Sequence, residues 1–482
     1  MKVLLFDHKS GGRLRESGAA GDSHHRQFPP GAASRSVFRL TLFGLLSILV
    51  AGTALAQGRL DGANTPYDDA KRAAAVDSIS TALREVYIFA EVAEEMADLM
   101  RENLENGEYA DLIDAASFSA RLTDDLRSVS HDLHLRVFPI DPPQNMAAEA
   151  APDTDPEARI EEQRARLARN NFGFKRLEIL SGNIGYLKLD GFNNTYFGGD
   201  TAIGAMNFFA NCEALIIDLR ANGGGSPTMI QLLTSYFFDD PTHLNSFYIR
   251  RTDETQQFWT TQAVVGPSLV DTDLFILTSG GTFSAAEEFT YNLKNLERAT
   301  VVGETTGGGA HPVEGHVFAY VNLGMSLPFG RAINPITGTN WEGTGVSPHI
   351  EVPAPDALGT AHLEALKKVR ARATEPQDLA AIDFGVAELE AQLHPFLVGD
   401  AKFASYVGQY EDRTISGDEE GVYYSRGGRT PMRMIPLTDR LFRFEEIDYF
   451  HLEVELDAAG NPVSLIGRYA DGRKDQSRRT SS

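Results

Sequence analysis

The chain has 482 residues, 42% of them apolar, with 28 Phe and 15 Tyr, which is too long for one ordinary domain and ample for two or three packed cores. Acidic residues outnumber basic ones by 67 to 44, a formal charge of −23, and this argues against nucleic acid or another polyanion as partner. Cys212 is the only cysteine, so the fold must hold by packing rather than by an intrachain disulfide, and a small core residue fits Cys212 better than a nucleophile does. The sequence carries no Cys/His metal spacing, P-loop or dinucleotide fingerprint, so no cofactor and no metal are expected.

Residues 1–56 read as a signal peptide with a long n-region. Arg35 and Arg39 precede an apolar stretch from Leu40 to Leu55, and Ala54-Leu55-Ala56 forms a small-x-small cleavage site. The stretch is shorter than the ~20 residues a spanning helix wants. The expectation is an exported protein, periplasmic or extracellular, with no integral membrane span after cleavage. Residues 66–138 read as a helical domain: Ile79, Leu83 and Val86 share one face, and Phe118, Leu122 and Val129 another. At Leu133 the period changes to two, with Leu133, Leu135 and Val137 on one side and His134, Arg136 and Phe138 on the other, so that His134 faces away from the apolar side.

Residues 139–175 form a linker rich in Pro, Ala and acids, then a charged helix from Pro156 to Arg169. In 176–355, strand signals at 184–189, 214–219, 274–278 and 299–302 alternate with helical stretches at 201–210, 228–237 and 285–293, the rhythm of an α/β core. Residues 245–265 and 314–333 suggest added β-hairpins. A helical connector, 356–399, leads to a small C-terminal β-domain, 400–475, and the polar residues from Asp471 to Ser482 are expected to fray. The fold class is thus α/β (α+β) and multidomain.

Three loops at the C-terminal ends of core strands carry the chemistry, at the edge where open α/β sheets bind ligands. The first, Asp218-Leu219-Arg220-Ala221-Asn222-Gly223-Gly224-Gly225-Ser226, has three consecutive glycines whose N–H groups can approach a ligand atom closely. The second runs from a buried strand through Gly280-Gly281-Thr282 to Ser284, which opens an amphipathic helix. A serine there presents its hydroxyl where backbone N–H groups and the helix's positive end hold negative charge. Ser284-Ala285-Ala286-Glu287 also fits a plain capping box. The third loop, Gly303 to Pro312, again joins glycines to polar residues.

Together, Ala214-Leu-Ile-Ile-Asp-Leu-Arg-Ala-Asn-Gly-Gly-Gly, Thr282-Phe-Ser-Ala-Ala-Glu-Glu-Phe, Val301-Val-Gly-Glu-Thr-Thr-Gly-Gly-Gly and Glu342-Gly-Thr-Gly-Val-Ser-Pro resemble the S41 serine peptidases. These are the C-terminal processing or tail-specific proteases, with the tricorn core protease and interphotoreceptor retinoid-binding protein as relatives. The resemblance covers about residues 70–355 and implies a ClpP/crotonase-like α/β catalytic core. Processing proteases place a lysine in the third loop as base to the serine, where this chain has Gly309; Lys294 lies ten residues along the helix from Ser284, about 15 Å. The tricorn-like branch uses Ser, His and Glu. Asp132-Leu133-His134 matches its D-x-H segment, with Leu133 in place of a serine, and Glu342 matches its glutamate.

On that resemblance the catalytic residues are Ser284, His134 and Glu342, with the N–H groups of Gly224 or Gly225 and of Ala285 as the oxyanion hole. His131 and His311 are the alternative bases, and Glu287, Glu288 and Glu304 read as structural. The roughly 45 residues between His134 and Gly182 are too few for the PDZ module of the processing proteases. The implied function is a serine-type peptidase acting on peptides or unfolded polypeptides. The alternative is a binding protein for an apolar ligand or peptide on the same scaffold, since fold does not dictate function.

Overall fold

A computed structural model describes residues 66–140 and 156–480; the expected signal peptide, most of the Pro-rich linker and the last two residues lie outside them. Helices α1 (Asp69–Val86), α2 (Ala90–Glu105) and α3 (Ala115–Ser130) are followed by strand β1 (Arg136–Pro139). Asp68 and Asp114 cap α1 and α3 through side-chain bonds to backbone N–H groups. His131, exposed and left-handed at φ 55°, ends α3. The period-two reading is right only from Leu135 onward: 132–135 is a turn, and Leu133 is 45% exposed while Leu135 and Val137 are buried. The reason is local, because the Asp132 carboxylate accepts the His134 N–H at 3.0 Å and bends the chain before it can extend.

After α4 (Pro156–Ala168) the core runs β2 (Phe174–Leu180), β3 (Ile184–Leu189), α5 (Thr195–Phe208), β4 (Ala214–Asp218), α6 (Pro227–Ser235), β5 (His243–Ile249), β6 (Glu254–Trp259), β7 (Asp273–Thr278), α7 (Ala285–Asn295) and β8 (Ala299–Gly303). Then come β9 (Val313–Phe318), β10 (Leu323–Pro328), β11 (Gly330–Ile333) and β12 (Ile350–Glu351). The central sheet has the order β12-β8-β7-β4-β3-β2, parallel except for β2. Its strands are apolar on both faces, as a covered parallel sheet requires. Leu215, Ile217, Leu274 and Ile276 pack under α5, α6 and α7, and Ile216, Phe275 and Leu277 pack under α8 (Ala357–Arg372) and α9 (Pro376–Leu393).

The two anticipated hairpins form, but they join different sheets. β10 pairs with both β9 and β1 and so ties the helical domain to the core, whereas β11 pairs with β5 beside β6. Leu323, Met325 and Leu327 of β10 belong to the same apolar cluster as α1, α2 and α3. Beyond α10 (Asp400–Tyr406), residues 408–478 form a four-stranded and a five-stranded antiparallel sheet around their own core of Tyr410, Phe442, Leu452 and Leu465. The expectation that the chain frays from Asp471 is overturned: Lys474–Arg478 is a strand paired with Pro462–Tyr469. Polar residues hold it there because Asp475 neutralises the fully buried Arg413 and also pairs with Arg426 at 2.8 Å. No helix among the described residues is long and apolar enough to cross a membrane.

Candidate active site

β4, β7 and β8 lie side by side and parallel, so the three glycine-bearing loops leave the sheet together. They are stitched by backbone and hydroxyl bonds. The Thr282 hydroxyl donates to the Leu219 carbonyl at 2.8 Å, the Phe283 N–H to Asn222 at 3.0 Å, and the Gly307 N–H to Thr282 at 3.0 Å. Gly224 needs its left-handed φ of 109° and its missing side chain, since an ideal Cβ there would stand 2.8 Å from the Ser284 Cβ and 2.9 Å from the Ala285 nitrogen. The Gly224 N–H is already taken by Asn222 Oδ1 at 2.9 Å. Of the expected oxyanion donors, this leaves Gly225 and Ala285.

Ser284 is half-buried at the N-terminus of α7, with φ 55° and ψ −121°. That backbone is sparsely populated for a residue with a Cβ, and such strain persists only where the surroundings over-determine it. Glu287 does much of the over-determining. Its buried carboxylate accepts the Ser284 N–H at 2.8 Å, the Thr306 hydroxyl at 2.5 Å, the Gly308 N–H at 2.6 Å and the Gly309 N–H at 2.8 Å. The capping box read from the sequence is therefore present and is also a clasp between the second and third loops. Burial raises the Glu287 pKa against the pull of these four donors. Glu304 accepts N–H groups from Gly280 at 3.3 Å and Ala354 at 2.9 Å, and Lys294 donates to the Ser347 carbonyl at the far end of α7.

His134 lies against the Phe283 ring, 4.7 Å between centroids, directly beside the serine turn. Its Nδ1 is buried with no hydrogen-bond partner. Burial pushes its pKa down to about 4; the Asp132 charge opposes this, while His311 and Arg127 add to it. The ring is thus neutral at pH 7. An ideal Cβ on Gly309 would stand 2.7 Å from His134 Cε1 and 2.2 Å from Phe283 Cζ, so these two rings fill the space a side chain at 309 would use.

Glu342 does not hydrogen-bond to His134. Its Oε2 accepts the Ala310 N–H and lies 3.6 Å from His311 Nδ1, and its Oε1 is buried without a partner. Burial and the neighbouring Asp132 charge raise its pKa to about 7, opposed by His311 and the Ala310 N–H. His311 Nδ1 in turn meets Asp132 Oδ2 at 2.6 Å. Burial alone would lower the His311 pKa, but the two carboxylates outweigh it and the pKa is raised. Asp132, His311 and Glu342 are the only three acidic or histidine groups among the described residues close enough to share a metal ion. The direct His311–Asp132 bond accounts for that proximity without one. Sequence reasoning carried His311 only as an alternative base and gave Asp132 no role; the Asp132-x-His134 spacing and the His311-Pro312 end of the third loop were the available signals.

Residues 183–352 match the family model described as peptidase family S41, and 69–174 match the N-terminal domain of that family in eukaryotic interphotoreceptor retinoid-binding protein. The chain belongs to peptidase family S41. Similar solved structures of S41 peptidases include a photosystem II C-terminal processing protease, at 22% identity and TM-score 0.30 over 36% of this chain and 43% of that one. The tricorn protease matches at 14% identity and TM-score 0.39, over 67% of this chain and 37% of its own. A lipoprotein from Streptococcus agalactiae matches at 15% identity and TM-score 0.41, over 64% and 98%. The chain thus spans less than two thirds of the length of the processing protease. Membership in this family supports a serine-type peptidase role.

Proposed function

We propose that the chain is an exported serine-type peptidase that hydrolyses peptide bonds in short or unfolded polypeptides. In this reading Ser284 is the nucleophile, His134 the proton acceptor and Glu342 the carboxylate that stabilises positive charge in the histidine cluster. Ser284 Oγ attacks the scissile carbonyl carbon while its proton passes to His134, and the N–H groups of Gly225 and Ala285 receive the oxyanion. Collapse expels the amine with the proton from His134, and water then hydrolyses the acyl-enzyme by the same route.

The observation that carries the reading is the strained Ser284 turn, φ 55° and ψ −121°, closed on one side by Gly224 and clasped by Glu287. A serine that only caps a helix has extended backbone and no reason to store strain. The absent third-loop lysine supports a histidine base, because Phe283 and the His134 ring occupy the room beside Gly309 that such a lysine would need. A neutral His134 at working pH can accept a proton, which supports the same role.

Ser284→Ala is the decisive variant. Turnover of a peptide library is expected to fall by at least about 10³-fold, and labelling of the wild-type protein by a fluorophosphonate probe at Ser284 is expected to vanish, with the thermal transition nearly unchanged. Equal turnover in both proteins would remove the peptidase assignment. A wild-type protein that neither turns over peptides nor labels would favour the ligand-binding alternative.

A further inference from the structure

The catalytic reading leaves a buried histidine and a buried aspartate without work. Asp132, from the turn between α3 and β1, is 1% exposed, and His311, from the third loop of the core, is 5% exposed. Their 2.6 Å bond joins the helical domain to the catalytic core. The other Asp132 oxygen accepts the His134 N–H at 3.0 Å, and the Tyr87 hydroxyl donates to Asp132 at 3.4 Å. The same Nδ1 of His311 lies 3.6 Å from Glu342 Oε2, and the Phe89 ring closes over the imidazole edge-on at 5.5 Å. The remaining charged or titratable groups that act on it are Arg331 of β11 and His134.

We propose that His311 is a positioning residue of the peptidase site: its Nδ1 edge faces the Asp132 and Glu342 carboxylates together and supplies the positive charge that favours Glu342 as an anion, and through Asp132 it fixes the backbone that presents His134. A carboxyl group close to a second one ionises less readily, and a cation beside it offsets that penalty. Asp132 must be an acceptor to hold the His134 N–H, and Glu342 must be ionised to stabilise charge on a histidine. The raised His311 pKa and the opposing effects of Asp132 and His311 on Glu342 agree with this arrangement. The role deepens the Ser284 reading and rests on it only for its catalytic consequence; the charge bridge can be measured without turnover.

The test is His311→Gln, with Asp132→Asn and the double variant, in the full chain. For His311→Gln, kcat on a peptide substrate is expected to fall about tenfold, with KM within about twofold and fluorophosphonate labelling of Ser284 retained at a lower rate. Glu342 protonates more readily without its cation, so the acidic limb of the kcat profile should move to higher pH by about one unit. The double variant should lose no more than the worse single one. Histidine-ring NMR of the wild type gives the independent arm: His311 should stay protonated above the ordinary range and titrate lower in Asp132→Asn. A superimposable pH profile, or an His311 resonance unmoved by Asp132→Asn, would overturn the proposal. Loss of both turnover and labelling to the level of Ser284→Ala would also overturn it, making His311 the base itself. Absence of labelling in the wild type would sink the peptidase reading while the NMR arm still judged the bridge.

Discussion

Two glutamates, the fully buried Glu287 and the partly buried Glu342, flank the same third loop and are treated in opposite ways. The Glu287 carboxylate accepts four donors from two loops, and the turn that carries Ser284 depends on it. Glu342 accepts one N–H and keeps Oε1 buried and without a partner. Burial disfavours the charge of both, yet one is compensated by four donors and the other by one N–H and by His311, itself bonded to Asp132 of the helical domain. A saturated buried carboxylate rigidifies, whereas an unsaturated one retains free energy that a change of charge nearby can draw on. On the proposed function, the contrast divides a scaffold glutamate from one that takes part in the chemistry.

Removing the clasp should have the largest effect on the contrast. Glu287→Ala orphans three N–H groups and a hydroxyl, and at ~1–3 kcal/mol for each buried unsatisfied group the loss should exceed about 3 kcal/mol, read as a lowered denaturant midpoint with unchanged m-value. Glu342→Gln, by contrast, should leave the midpoint within about 1 kcal/mol while lowering kcat. If the two variants destabilise equally, the division between scaffold and machinery fails.

A smaller step tests the packing around the loop. Gly309→Ala places a methyl against Phe283 and His134, at 2.2 and 2.7 Å before relaxation. Overpacking of this kind costs about 1–3 kcal/mol, and by displacing the imidazole it should lower kcat more than it raises KM. An alanine variant with wild-type kcat would mean that His134 is not held by this contact or is not the base.

The smallest effect concerns Glu288, which is buried one position further along α7 and has its pKa raised to about 7 by burial, against the pull of the neighbouring Asn245 and Asn292 side chains. The folded state therefore binds this proton more tightly than the unfolded state, whose glutamate titrates near 4.3. The Glu288 contribution to stability should then decline as pH rises from about 4.5 to about 7 and stay flat above. Glu288→Gln should flatten that part of the stability profile without changing kcat at neutral pH. A slope identical to that of the wild type would assign the proton elsewhere, with Glu342 as the next candidate.

The large features were legible in the chain because they rest on local patterns. Apolar runs mark β3, β4, β7 and β8, helical periodicity marks α1 to α3, and four motifs in fixed order, three of them glycine-bearing, mark the family. Errors arose where a contact remote in sequence overrode a local preference. Leu133 looked like a strand residue until Asp132 bent the chain, and the polar stretch after Asp471 looked loose until Asp475 met Arg413.

What the sequence alone determined was the main core strands and the three loops at their C-terminal ends, since an alternation of apolar strands and helices implies parallel strands whose following loops leave by one edge. Only the tertiary structure decided the partners of the charged groups: that Glu287 clasps two loops, that Asp132 and His311 pair across 179 positions, and that His134 fills the room beside Gly309. Burial and proximity set the protonation of these groups, and neither is a property of any short stretch of chain.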